Sequence, residues 1–130
     1  MKKLMFISRN PAENLTGNWG NWAMISITNP DETYVKFLAL FKDKLHPRFT
    51  DAASHHEMTD ADAMKIIEFC YGVDLDSLDG LVIHCTDGTS RSSAVARWVS
   101  LNFLIPFSYK YERYNRHVFN LLQVTGNEYK

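Results

Sequence analysis

Cysteine is scarce in this chain: its 130 residues include two, Cys70 and Cys85. That rules out a disulfide-built scaffold and makes a reducing, cytoplasmic setting the default expectation. No sign of charge dominates, with 14 Lys and Arg against 15 Asp and Glu. The chain therefore has no global field of the kind expected for nucleic-acid binding or for adhesion to an anionic membrane by overall charge. Long apolar runs are missing too. Leu4 to Ile7, after Met1-Lys2-Lys3, is too short for a signal-peptide core, and nothing approaches a bilayer span. With 4 prolines and 6 glycines there is no linker, repeat or low-complexity segment. What remains is 45% hydrophobic and 22% charged, the composition of a globular protein with one domain over residues 1–130.

Leu4 to Ile7 and Trp22 to Ile27 read as strands, separated by a loop from Ser8 to Asn21 that is rich in Asn and Gly. Thr28-Asn29-Pro30-Asp31 ends the second strand. Tyr34 to Phe41 has no decisive period and is expected to be a short helix or irregular. Phe49 to Asp51 is expected to end a third strand, and Ala52 to Met58 to be a polar loop. Thr59-x-x-Asp62 has capping-box spacing before Ala63, Met64, Ile66, Ile67, Cys70 and Tyr71, so a helix is expected there, ending near Gly72. A turn from Asp74 to Gly80 leads into the apolar strand Leu81-Val82-Ile83. A mostly apolar helix follows from Ser92 until Pro106 stops it. A last amphipathic helix is expected from about Ser108 to Val124. Alternating strands and helices predict an α/β fold: a small, mostly parallel sheet with helices on both faces and ligands at the carboxyl ends of its strands.

Between the last strand and its helix runs His84-Cys85-Thr86-Asp87-Gly88-Thr89-Ser90-Arg91-Ser92. A strand-to-helix turn of this kind gathers backbone N–H groups into an anion cradle at the positive end of the helix. The same field favours thiolate over thiol at Cys85. Arg91 has the planar fork that holds two phosphoryl oxygens, and Gly88 permits the tight backbone path. Ser92 can hydrogen-bond the sulfur as a leaving group, and His84 is expected to orient the loop rather than act as a base.

This stretch resembles the His-Cys-x5-Arg-Ser/Thr signature of the cysteine-dependent protein tyrosine and dual-specificity phosphatase superfamily, matched by His84, Cys85, Gly88, Arg91 and Ser92. The resemblance is firm over the loop and its flanking strand and helix, and elsewhere rests on element order and size. It implies a protein tyrosine phosphatase-like fold and a hydrolase needing neither cofactor nor metal. In such an enzyme Cys85 would be the nucleophile, and Thr86, Asp87, Gly88, Thr89, Ser90 and Arg91 would hold the phosphoryl group of a phosphotyrosine or dual-specificity protein substrate. The family also supplies an aspartate some tens of residues before the cysteine as general acid. Asp51, 34 positions upstream, is the first choice, and Asp43 the second. Asp60 and Asp62 are better explained as first-turn residues facing a helix dipole.

Asp87 departs from the dual-specificity pattern. Its Cys-x-Asp-Gly context is similar to myotubularin-type phosphoinositide phosphatases, so the same chemistry on a phosphoinositide, or on an RNA or nucleotide end, is a rival expectation. A phosphate-binding module without turnover would use the same loop. Redox chemistry at Cys85 would call on Cys70, which falls on an apolar helical face and is expected to be a core thiol. His55-His56-Glu57 has no further ligand at a recognised metal spacing. Arg97, two turns into the central helix, is expected in an ion pair. Trp19 and Trp22 are expected either to lid the sheet or to wall the phosphate.

Overall fold

The computed structural model describes residues 3–51, 57–86 and 89–129. Among these residues four strands form one sheet: β1 (Lys3–Ser8), β2 (Trp22–Ile27), β3 (Asp43–Leu45) and β4 (Gly80–Cys85), in the order β1-β4-β2-β3 and all parallel. The α/β expectation holds. Strands β2 and β4 are buried along their whole length, as their nearly unbroken apolar sequences require of central parallel strands. Gly80 opens β4 between Lys3 and Trp22. A Cβ there would lie 2.3 Å from the Trp22 ring and 2.7 Å from the Lys3 carbonyl, so the close approach demands glycine.

One face of the sheet is covered by α2 (Asp60–Gly72), α3 (Ser90–Phe103) and α4 (Arg116–Tyr129). Helix α2 starts where the capping box predicts: Asp62 N–H donates to Thr59 Oγ1 at 3.2 Å, and Thr59 N–H donates to Asp62 Oδ2 at 2.9 Å. Cys70 lies in this core, and burial pushes its thiol up to about 12. Helix α3 presents Ser92, Ser93, Ala94 and Ala96 inward, side chains small enough to let it lie close against β1 and β4. Gly126 of α4 serves the same end against Trp98, whose ring is 3.2 Å from where a Cβ would sit.

The opposite face carries the short α1 (Arg9–Glu13) and two irregular segments around Trp19 and around Phe37 and Phe41. Trp19 packs edge-on to Trp22 with centroids 4.7 Å apart, so these tryptophans lid the sheet.

Four expectations need correction. The segment before β2 is not all loop: α1 forms because Pro11 sits within the first turn, where its missing N–H is harmless, and Arg9 pairs with Glu13 one turn on. The third strand is Asp43–Leu45; beyond it Arg48 makes an isolated bridge with Thr28, and among the described residues Phe49 to Asp51 contributes a single bridge, Thr50 with Glu57. The last helix starts at Arg116 rather than near Ser108 and continues to Tyr129. Asn115 sets that start, its Oδ1 accepting from Val118 N–H at 3.0 Å. Arg97 makes no ion pair among the described residues and instead stacks over Tyr114 and Tyr109, at 4.2 and 5.0 Å.

Candidate active site

Cys85 is the last residue of β4 and lies opposite Ser8 of β1 and Ile27 of β2, at the carboxyl edge of the sheet. Its side chain is buried. The Ser92 N–H, in the first turn of α3, donates to Cys85 Sγ at 3.3 Å, and Ser92 Oγ lies 3.4 Å from the sulfur. The end of β4 and the first turn of α3 thereby meet at one sulfur atom, as the loop's flanks predict. Ser92 Oγ also reaches the Thr89 carbonyl at 3.3 Å. Thr86 leaves the strand, and Thr89 and Ser90 enter the helix. Asp87 and Gly88 lie outside the described residues, as do His55 and His56.

Arg91 is only 1% exposed. Its Nη1 donates to Asn29 Oδ1 at 2.8 Å and to the Phe49 carbonyl at 2.6 Å, and its Nη2 donates to the Thr86 carbonyl at 2.7 Å. Three of the five guanidinium N–H groups are used in this way. Nε is buried without a hydrogen-bond partner among the described residues. It shares one edge of the guanidinium with Nη2, the edge that matches two oxygens of a phosphoryl group. Orphaned buried donors are uncommon, and this one adjoins the loop that holds Cys85.

His84 is fully buried between the sheet and Phe37, with ring centroids 5.6 Å apart, and its Nε2 meets Ser26 Oγ at 2.6 Å. Burial, aided by the charge of Arg9, pushes its pKa down to about 4. The ring is therefore neutral at pH 7 and holds the end of β4 by hydrogen bonding.

Asp51 is exposed and brought to the loop by Asn115. Asn115 Nδ2 donates to the Asp51 carbonyl at 2.8 Å and to its Oδ1 at 2.7 Å, and Asn115 N–H donates to the Ser90 carbonyl at 2.9 Å. Together with the bond from Arg91 to Phe49, this ties the 49–51 segment to the start of α3 at two points. Asp43 stands elsewhere. It pairs with Ala23 of β2, whereas Cys85 pairs with Ile27, so Asp43 lies four residues, about 13 Å, down the strands from the cysteine edge.

No protein-family model, no curated protein and no solved structure matches this chain. The site therefore stands on its own geometry.

Asn29 and Asn115 are site residues that the sequence does not single out. Each sits at an element boundary, after β2 and before α4, and such polar boundary residues are the signal available; their partners lie 62 and 64 positions away. Glu32 is a third. It accepts from Asn29 N–H at 2.8 Å and pairs with Arg9 at 3.0 Å. Burial alone would raise its carboxyl, yet the Asn29 N–H and the charges of Arg9 and Arg91 hold it below the usual range. Among the described residues no three His, Cys, Asp or Glu side chains are placed to hold a metal, and no helix is long and apolar enough to cross a membrane.

Proposed function

We propose that the chain is a cysteine-dependent phosphatase of the protein tyrosine and dual-specificity type, acting through a phospho-cysteine. The observation that carries this reading is the Cys85 sulfur held by Ser92 at the start of α3 beside the buried Arg91. Cys85 attacks phosphorus as the thiolate, forming the S–P bond as the bond to the leaving oxygen breaks. Arg91 and the backbone N–H groups at the start of α3 hold the non-bridging oxygens, where charge concentrates in the transition state. Asp51 donates its proton to the leaving oxygen. As a carboxylate it then takes a proton from the water that cleaves the S–P bond.

The single Ser92 hydroxyl proton serves both states of the sulfur. While Cys85 carries its own proton, the hydroxyl donates to the Thr89 carbonyl; once the sulfur is anionic it turns to Sγ, making it a better leaving group in the second step. Both cysteines are thiols rather than a disulfide, which fits a reducing compartment such as the cytoplasm. The substrate proposed first is a phosphotyrosine or dual-specificity protein target. Hydrolysis of phosphotyrosine peptides, compared with phosphoinositides and RNA 5′ ends in the presence of a chelator, tests the reading. Turnover of the peptides that vanishes in Cys85→Ser is expected. Phosphate binding without turnover of any substrate would make the chain a binding module instead.

A further inference from the structure

Residues 34–42 cross the face of the sheet opposite α2, α3 and α4 as an irregular strap that leads into β3. Burial alternates along it. Val35, Phe37, Ala39 and Phe41 turn inward, Phe37 against His84 and Phe41 against Trp19. Lys36, Leu38, Leu40 and Lys42 turn outward, and Lys44 of β3 is exposed beyond them. Leu38 is 70% exposed and Leu40 82%. The only carboxylate between residues 33 and 48 is Asp43, against the four cations Lys36, Lys42, Lys44 and Arg48. The three lysines form no ion pair among the described residues. Along the strap, exposed lysines thus flank two protruding leucines in a chain whose net charge is -1.

We infer that the outward face of this strap, Lys36-Leu38-Leu40-Lys42-Lys44, docks the protein on an anionic lipid surface. Leucines standing out from the surface can enter the acyl boundary while the lysines extend to the headgroup phosphates and carboxylates. Trp19 lines the same shallow depression as Leu38 and Leu40, and an indole at this level suits the interface. The charge pattern favours a lipid surface over a protein partner: apolar protein docking needs no flanking lysines, whereas an anionic bilayer is attracted by each of those on either side of the leucines. This inference does not depend on the phosphatase reading, since none of these side chains belongs to the Cys85 site.

The test is co-sedimentation of the full chain with vesicles of phosphatidylcholine alone and of phosphatidylcholine containing about one third phosphatidylserine, with tryptophan emission followed in parallel. Binding to the anionic vesicles only, with a blue shift and a steep loss on adding salt, is expected. Leu38→Asn with Leu40→Asn should weaken binding at least about tenfold, and Lys36→Gln with Lys42→Gln and Lys44→Gln about a hundredfold. All five positions are exposed, so unchanged circular dichroism and melting midpoints are expected of both variants. No binding by the wild type, equal binding to neutral vesicles, or variants that bind like the wild type would each overturn the inference. So would self-association that the leucine variant abolishes while no vesicle is bound.

Discussion

Replacing Arg91 by lysine keeps the charge and removes the fork. In the folded protein the guanidinium spans three acceptors on three different segments: Asn29 after β2, Phe49 before Asp51, and Thr86 in the loop itself. A lysine ammonium at this position can serve one of them. Two charge-assisted bonds are then lost, each worth about 1.5 kcal/mol at the lower end of the range for such bonds, so Arg91→Lys should destabilise the fold by about 3 kcal/mol. In urea, with a slope near 2 kcal/mol per molar for a chain of this size, the midpoint should fall by about 1.5 M. Adding phosphate or vanadate should raise the melting temperature of the wild type and leave that of the variant unmoved, because the Nε and Nη2 edge is gone. A variant with the wild-type midpoint would refute the claim that Arg91 ties these segments together. A variant that still responds fully to phosphate would refute its role as anion clamp.

Ser92→Ala should slow breakdown of the phospho-cysteine about tenfold or more, since a hydrogen bond to a charged sulfur is lost; stopped-flow traces should then show a burst, and a linear trace at wild-type rate would contradict the role given to Ser92. Asn115→Ala removes both bonds to Asp51 and the cap of α4. It should cost about 1 kcal/mol of stability and lower turnover of phenyl phosphate more than that of aryl phosphates with acidic leaving groups, whereas an equal loss on both would place Asn115 in a structural role only. His84, with a folded pKa of about 4 against about 6.5 unfolded, stays neutral in the native state while the unfolded chain takes up a proton. Stability should therefore fall as pH drops from about 6.5 towards 4, by about 3 kcal/mol in all. In urea melts His84→Gln should lack this part of the pH dependence, and a variant as acid-sensitive as the wild type would exclude it.

The parts of the molecule legible in the sequence are those fixed by short-range pattern. Strand β2 and the core of β4 announce themselves as buried apolar runs, α2 by Thr59 and Asp62, and the Cys85 loop by its spacing. Strand β3 is not legible. Asp43-Lys44-Leu45 has neither alternation nor β-branched residues, and it is a strand only because β2 offers an edge to pair with. Tyr111 and Tyr114 stand at helical spacing from Val118, Leu121 and Leu122, yet long-range contacts hold the stretch before Arg116 outside the helix: Tyr111 meets Thr89 Oγ1 at 2.9 Å, Tyr109 meets Ser100 Oγ at 2.9 Å, and Tyr114 lies under Arg97. The partners of Arg91 and Asp51 are hidden for a similar reason. Asn29 and Asn115 reach them only after the sheet and α4 are in place, and no local pattern encodes that meeting.

A phosphatase of the proposed type must pass through a covalent phosphoryl intermediate on Cys85. The chain should be mixed with an aryl phosphate in the presence of a chelator, quenched in acid within the first turnovers, and digested for mass spectrometry. Hydrolysis with one phosphoryl group on the peptide containing Cys85 is expected, and neither hydrolysis nor adduct in Cys85→Ser. Hydrolysis that survives Cys85→Ser, or none by the wild type on any phosphomonoester, would contradict that intermediate.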